Sequence, residues 1–147
     1  MKTDGTGRSK ISSERILDIA AVSPDGRWVV AGAPNSDEEH PAIMKAFPVD
    51  GGAPVPLCVD YCWVSWDTAG RYAHISFLPY GSGSYALPVM HDLGLPKLPP
   101  GGARRQDLIN VKTDIAIPRS VQSAISPSVY AYTRETTRRN LYRIQLP

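Results

Sequence analysis

The chain of 147 residues is 42% hydrophobic and carries 16 Lys and Arg against 14 Asp and Glu, a formal net charge of +2. That is enough apolar content for one globular domain, and the polar, glycine-bearing stretch Met1 to Ser13 has no apolar segment that would serve as a secretion signal or membrane anchor, so a cytoplasmic location without membrane contact is expected. Its 14 prolines and 12 glycines fall between short apolar runs, a distribution that excludes helices of many turns and predicts short strands with tight connections.

Residues 1–10 read as a disordered lead and 11–147 as one domain, opened by a short strand over Ile11 to Leu17. A first unit spans about 17–59. Ile19 to Ser23 and Arg27 to Gly32 are predicted strands joined by Ser23-Pro24-Asp25-Gly26. In that turn proline presets φ, Asp25 bonds nearby backbone and Gly26 takes the positive φ. After a polar loop over Ala33 to Pro41 comes a strand at Ile43 to Val49, then the hairpin turn Asp50-Gly51-Gly52. The last strand, Ala53 to Val59, contains Pro54 and Pro56 and therefore belongs at a sheet edge.

A second unit, about 62–119, runs from Cys62 through Trp66, returns along Arg71 to Leu78, and after the loop Pro79 to Gly83 continues at Ser84 to Met90. Val64-Ser65-Trp66-Asp67-Thr68-Ala69-Gly70-Arg71-Tyr72 repeats Val22 to Trp28 with a turn two residues longer, which pairs Ser65 with Ser23 and Tyr72 with Trp28. Ala46-Phe47-Pro48-Val49 recurs as Ala86-Leu87-Pro88-Val89. The insertion 91–119, rich in Pro, Gly and Leu, holds one or two helical turns at Ala103 to Asn110 before Ile115 to Ile117 resumes strand character. A compact third unit, 120–147, gives strands at Val121 to Ser126, Val129 to Arg134 and Asn140 to Leu146. Repeats of about 40 residues built of short strands are the pattern of propeller blades.

The Ser23 to Trp28 turn, its copy through Tyr72 and the Val49-Asp50-Gly51-Gly52 hairpin resemble the blade of TolB-type, WD-repeat-like β-propellers. The closing stretch, Pro127-Ser128-Val129-Tyr130-Ala131-Tyr132 through Arg139-Asn140-Leu141-Tyr142-Arg143-Ile144, resembles the C-terminal end of propellers attached to bacterial serine/threonine kinases. The resemblance implies an all-β fold, a partial β-propeller of about three four-stranded antiparallel blades. Such a set cannot close a ring alone. A remnant, an open stack with capped ends, and a homodimer completing one ring are the arrangements left.

No catalytic constellation emerges, and the chain is expected not to be an enzyme. Gly81-Ser82-Gly83-Ser84 lacks the spacing of a nucleophile elbow or a phosphate loop. Asn35 to His40 is rich in oxygen ligands without the spacing of a calcium loop. Each of His40, His74 and His91 reads as a satisfied or exposed side chain, and Cys58 and Cys62 as two buried thiols, so neither a metal nor a cofactor is expected. The expected function is a non-catalytic scaffold for a protein partner or small ligand, the alternative being a detached sensor portion of a receptor-like kinase or propeller-bearing hydrolase. Binding is expected in loops, at Asp37, Glu38, His40, Tyr80, Ser82, His91, Arg104 and Arg105. Residues 101–147 hold eight Lys and Arg against three acids, whereas 1–100 hold eight against eleven. A weak nucleic-acid contact through Arg134, Arg138, Arg139 and Arg143 is the third reading, disfavoured because no aromatic-rich recognition motif accompanies them.

Overall fold

A computed structural model of the chain describes residues 6–7, 9–38, 41–59, 62–77, 83–109, 115–119 and 121–132. The fold is all-β, made of antiparallel sheets, and among the described residues no sheet closes into a barrel or ring. The first sheet is a meander of β1 (Asp18–Val22), β2 (Trp28–Pro34), β3 (Ala42–Pro48) and β4 (Val55–Val59). The second repeats that order with β5 (Cys62–Trp66), β6 (Tyr72–Phe77), β7 (Ser84–Pro88) and β8 (Ile115–Ile117). Between β7 and β8 lies the five-residue helix α1 (Arg105–Ile109), and a two-stranded sheet, β9 (Gln122–Ser126) with β10 (Val129–Ala131), follows. The third strand expected at Asn140 to Leu146 lies outside the described residues.

Alternation of period two splits each sheet into faces. From the first sheet Val30, Met44, Ala46, Leu57 and Cys58 turn toward Cys62, Val64, Trp66, Ala73, Ile75 and Leu87 of the second, and all are buried in one core. Fully buried side chains such as Leu57 and Ile75 each contribute about 1.5–3 kcal/mol by leaving water. First strands lie beside first strands: β1 against β5, and β5 against β9.

The opposite face of the first sheet holds Ala31, Ala33, Ile43, Phe47 and Val59, with Ile11 packed on them. The expected strand over Ile11 to Leu17 is not formed; this segment is irregular and crosses that face instead. Lys45 Nζ donates to Glu14 Oε2 at 2.7 Å, and the Leu17 N–H donates to the Gly32 carbonyl at 2.8 Å. A face carrying Phe47, 1% exposed, is better served by a covering segment than by a fifth strand at the sheet edge.

The two turns that open the sheets share a hydrogen-bond ring, and it corrects the pairing read from sequence. Ser23 N–H donates to Trp28 O and Gly26 N–H to Ser23 O; Asp67 N–H donates to Tyr72 O and Gly70 N–H to Asp67 O. Asp67 therefore answers Ser23, with no lengthening, while Ser65 lies two residues earlier, within β5, and meets Ser123 Oγ at 3.2 Å. Beyond the turns the match continues, since Val49 N–H bonds Arg27 O as Val89 N–H bonds Arg71 O. Trp28 pairs with Pro48 and Tyr72 with Pro88.

Between the sheets, the chain passes from β4 to β5 across a disulfide joining Cys58 and Cys62, with Cα atoms 6.5 Å apart. The two cysteines are thus bonded rather than the free thiols expected. Part of the insertion returns to the first sheet: Ala103 N–H donates to Leu57 O and Val59 N–H to Ala103 O, so residues 102–103 run along the outer edge of β4. The third sheet is tied to the second by Ser123 Oγ donating to Trp66 O at 2.6 Å and Thr68 N–H to Ala124 O at 2.9 Å.

Candidate functional site

The two equivalent turns come together at one end of the sheets, and the loop after β7 folds over them. Between them opens a cleft of about 680 Å³, lined by Pro24, Asp25 and Arg27 of the first turn, by Trp66 and Thr68 to Arg71 of the second, and by Val89 to His91 and Gly94 of the loop.

Each wall is fixed locally. Asp25 Oδ1 accepts from Ser23 Oγ at 2.6 Å and from the Arg27 N–H at 3.1 Å, and Asp25 Oδ2 pairs with Arg27 Nε at 2.6 Å. Partial burial raises the Asp25 pKa, but the hydrogen bonds from Ser23 and Arg27 and the guanidinium charge outweigh it and hold the carboxyl at about 2. Arg27 also donates through a terminal nitrogen to Asp92 O at 2.8 Å, and Trp28 Nε1 donates to Leu93 O at 2.7 Å. Those two bonds dock a loop of the second sheet on the turn of the first. Gly94, at φ +72°, has a backbone conformation that requires glycine, and a Cβ there would displace the side-chain ends of Asp25, at 2.5 Å, and Arg27, at 2.8 Å.

Among the described residues of the cleft, the Trp66 indole N–H is buried without a hydrogen-bond partner, and the Arg71 and His91 side chains also keep hydrogen-bonding capacity. Arg71 and His91 are exposed, and neither side chain bonds to a described residue through any of the described hydrogen bonds or ion pairs. Arg27, by contrast, is already engaged. The cleft therefore offers a guanidinium with five N–H donors, an imidazole, and the apolar sides of Pro24 and Trp66. Such a lining suits an acceptor-rich or acidic group seated beside a small apolar one.

Of the five expected binding residues that the structure describes, only His91 reaches this cleft. Asp37 and Glu38 are exposed in the β2–β3 connection, at the opposite end of the first sheet. Arg104 and Arg105 are exposed at the start of α1, next to Ala103, which bonds to the end of β4 at that same far end. His40, Tyr80 and Ser82 lie outside the described residues, as do Arg134, Arg138, Arg139 and Arg143. Asp25, Arg27 and Arg71 were missed as a site because each reads from sequence as a turn residue. The signal that could have found them is the recurrence of Gly-Arg followed by an aromatic residue, at Gly26-Arg27-Trp28 and Gly70-Arg71-Tyr72.

Away from the cleft, His74 departs from what was expected of it. At 1% exposed it is neither solvent-facing nor satisfied, since among the described residues neither ring nitrogen has a hydrogen-bond partner. Burial lowers its pKa, partly opposed by the charge of Asp67, so the ring is held neutral. Among the described residues no three His, Cys, Asp or Glu side chains gather as a metal would need, and no helix is long and apolar enough to cross a membrane.

Compared with protein-family models, with curated proteins and with solved structures, the chain gives no match.

Proposed function

We propose that the chain is a non-catalytic binding module, a short stack of propeller-type blades of the TolB or WD-repeat-like kind, that holds an acidic partner or ligand in the cleft between its two turns. The observation that carries this reading is the shared hydrogen-bond ring of Ser23 to Trp28 and Asp67 to Tyr72, which brings equivalent ends of successive sheets to one cleft. Blades of a propeller are four-stranded antiparallel meanders laid face to face with their first strands toward one axis. The order β1 to β4 and β5 to β8, with β1 beside β5 and β5 beside β9, supports that arrangement.

Within this reading, the Ile11 to Leu17 segment over the outer face of the first sheet favours a stack capped at that end over two chains sharing a ring. An uncovered blade face would be an exposed apolar patch, and Phe47 is not exposed.

Peptide display on the immobilised full chain is the direct test. Peptides rich in Asp and Glu are expected to be enriched, and their binding to weaken with salt. Arg71→Ala and His91→Ala should each reduce binding, whereas Glu38→Ala and Arg105→Ala should leave it unchanged. Binding that survives both cleft substitutions would overturn the assignment.

A further inference from the structure

The one covalent crosslink in the fold sits where its chemistry has consequences for where and how the chain is stable. Cys58 closes β4, the last strand of the first sheet, and Cys62 opens β5, the first strand of the second. Both are buried, at 0% and 4% exposed, in the core shared by the sheets. The crossover between the sheets therefore hangs on this bond.

The backbone beside the bond is also covered. Residues 102–103 lie along β4, with Ala103 fully buried and bonded to Leu57 O and Val59 N–H on either side of Cys58. Gly102, at φ +95°, approaches so closely that a Cβ would lie 3.2 Å from the Cys58 nitrogen. A thiol reductant must come into line with the two sulfurs, and Ala103 is buried in one core with both cysteines, so residues 102–103 hold closed the β4 edge at Cys58.

We propose that Cys58 and Cys62 form a gated disulfide, closed in an oxidising compartment and open to a dithiol reductant only when residues 102–103 lift from β4. In the opening step a reductant thiolate attacks one sulfur, the Cys–Cys bond breaks, and the displaced cysteine thiolate takes a proton. The second reductant thiol then displaces the other cysteine from the mixed disulfide, so the reductant leaves as its own disulfide and the chain gains two electrons and two protons. Buried structural disulfides persist outside the reducing cytosol, which sets this proposal against the cytoplasmic location expected from sequence.

The test uses the full chain, oxidised, exposed to dithiothreitol, quenched with iodoacetamide and weighed by mass spectrometry. Reduction is expected to be at least roughly tenfold slower in buffer than in denaturing urea. Gly102→Ala, whose Cβ would crowd the Cys58 backbone and push the strap off β4, should accelerate it in buffer. A second readout stands if that variant does not fold: in the wild-type chain, hydrogen exchange at the Ala103 and Val59 amides should quicken on reduction. Equal reduction rates in buffer and urea, or unchanged exchange at both amides after reduction, would overturn the gate. Two free thiols in chain secreted through an oxidising compartment would overturn the disulfide itself.

Discussion

Asp67 stands in the second sheet where Ser23 stands in the first, and its one carboxylate oxygen accepts what two side chains share there. Asp67 Oδ1 takes the N–H groups of Arg71 at 2.7 Å and Tyr72 at 3.0 Å. In the first turn Ser23 Oγ takes the Trp28 N–H at 3.0 Å, and Asp25 takes that of Arg27. Ala69, which answers Asp25, has no side chain with which to help. The second turn is therefore the more vulnerable, since a single substitution strips both bonds.

Asp67→Ala should destabilise the chain by about 2–4 kcal/mol, because it leaves two backbone donors without their acceptor and the site is buried. Ser23→Ala should cost about 1 kcal/mol, as Asp25 remains. Urea denaturation of the two variants checks the order. Equal losses would contradict the division of roles.

Acid should weaken the fold through His74. Its pKa is lowered in the folded chain from an unfolded value near 6.5, so the unfolded state binds the proton more readily. The contribution of the neutral ring is complete above that unfolded value and is lost progressively as pH falls below it. Denaturation midpoints measured from pH 8 to pH 5 should fall over this window, and His74→Gln should flatten the decline. Asp25 acts lower: its depressed carboxyl supports the fold above about pH 4 and is lost as pH approaches 2, but its exposure keeps the effect small.

Gly94→Ala should detach the cleft's third wall while the sheets remain folded. A Cβ at φ +72° is strained by about 1–3 kcal/mol, and the methyl displaces the side-chain ends of the Asp25–Arg27 pair that faces the loop. The observable is the Trp28 indole N–H, whose bond to Leu93 O should loosen and whose proton resonance should shift. An unmoved resonance would mean that the loop is held elsewhere.

Replacing both cysteines by serine should cost about 2 kcal/mol, the small value expected for so short a closed loop. A larger loss would assign the bond a part in core packing as well as chain restriction. Thermal melts with and without reductant should differ for the wild type and coincide for the double variant.

Much of the fold was legible. Ser-Pro-Asp-Gly and Asp-Gly-Gly mark their turns by φ requirements that few residues meet, and alternation between them left little freedom for the strands. Pro54 and Pro56 placed β4 at an edge, and the edge is where the 102–103 strap lies. The Ser65 pairing failed because matching Val-Ser to Val-Ser weighs side-chain identity, whereas the turn is defined by backbone hydrogen bonds that Asp67 satisfies as well as serine does. The cleft was not legible, because Arg27, Arg71 and His91 meet only when one sheet stacks on the other. Nor was the disulfide: a spacing of four fits two buried thiols as readily until β4 and β5 are seen to end side by side. For His74, position in a strand was readable, but not that its face would be buried with no partner for either nitrogen among the described residues.

The measurement that bears most directly on the cleft is a backbone amide spectrum of the full chain titrated with an acidic peptide selected by display. Shifts should concentrate at 25–28, 67–72 and 89–94, where the two turns and the loop meet. Shifts confined to 35–38 and 104–109, with the cleft amides unmoved, would place binding at the opposite end of the sheets and contradict the account.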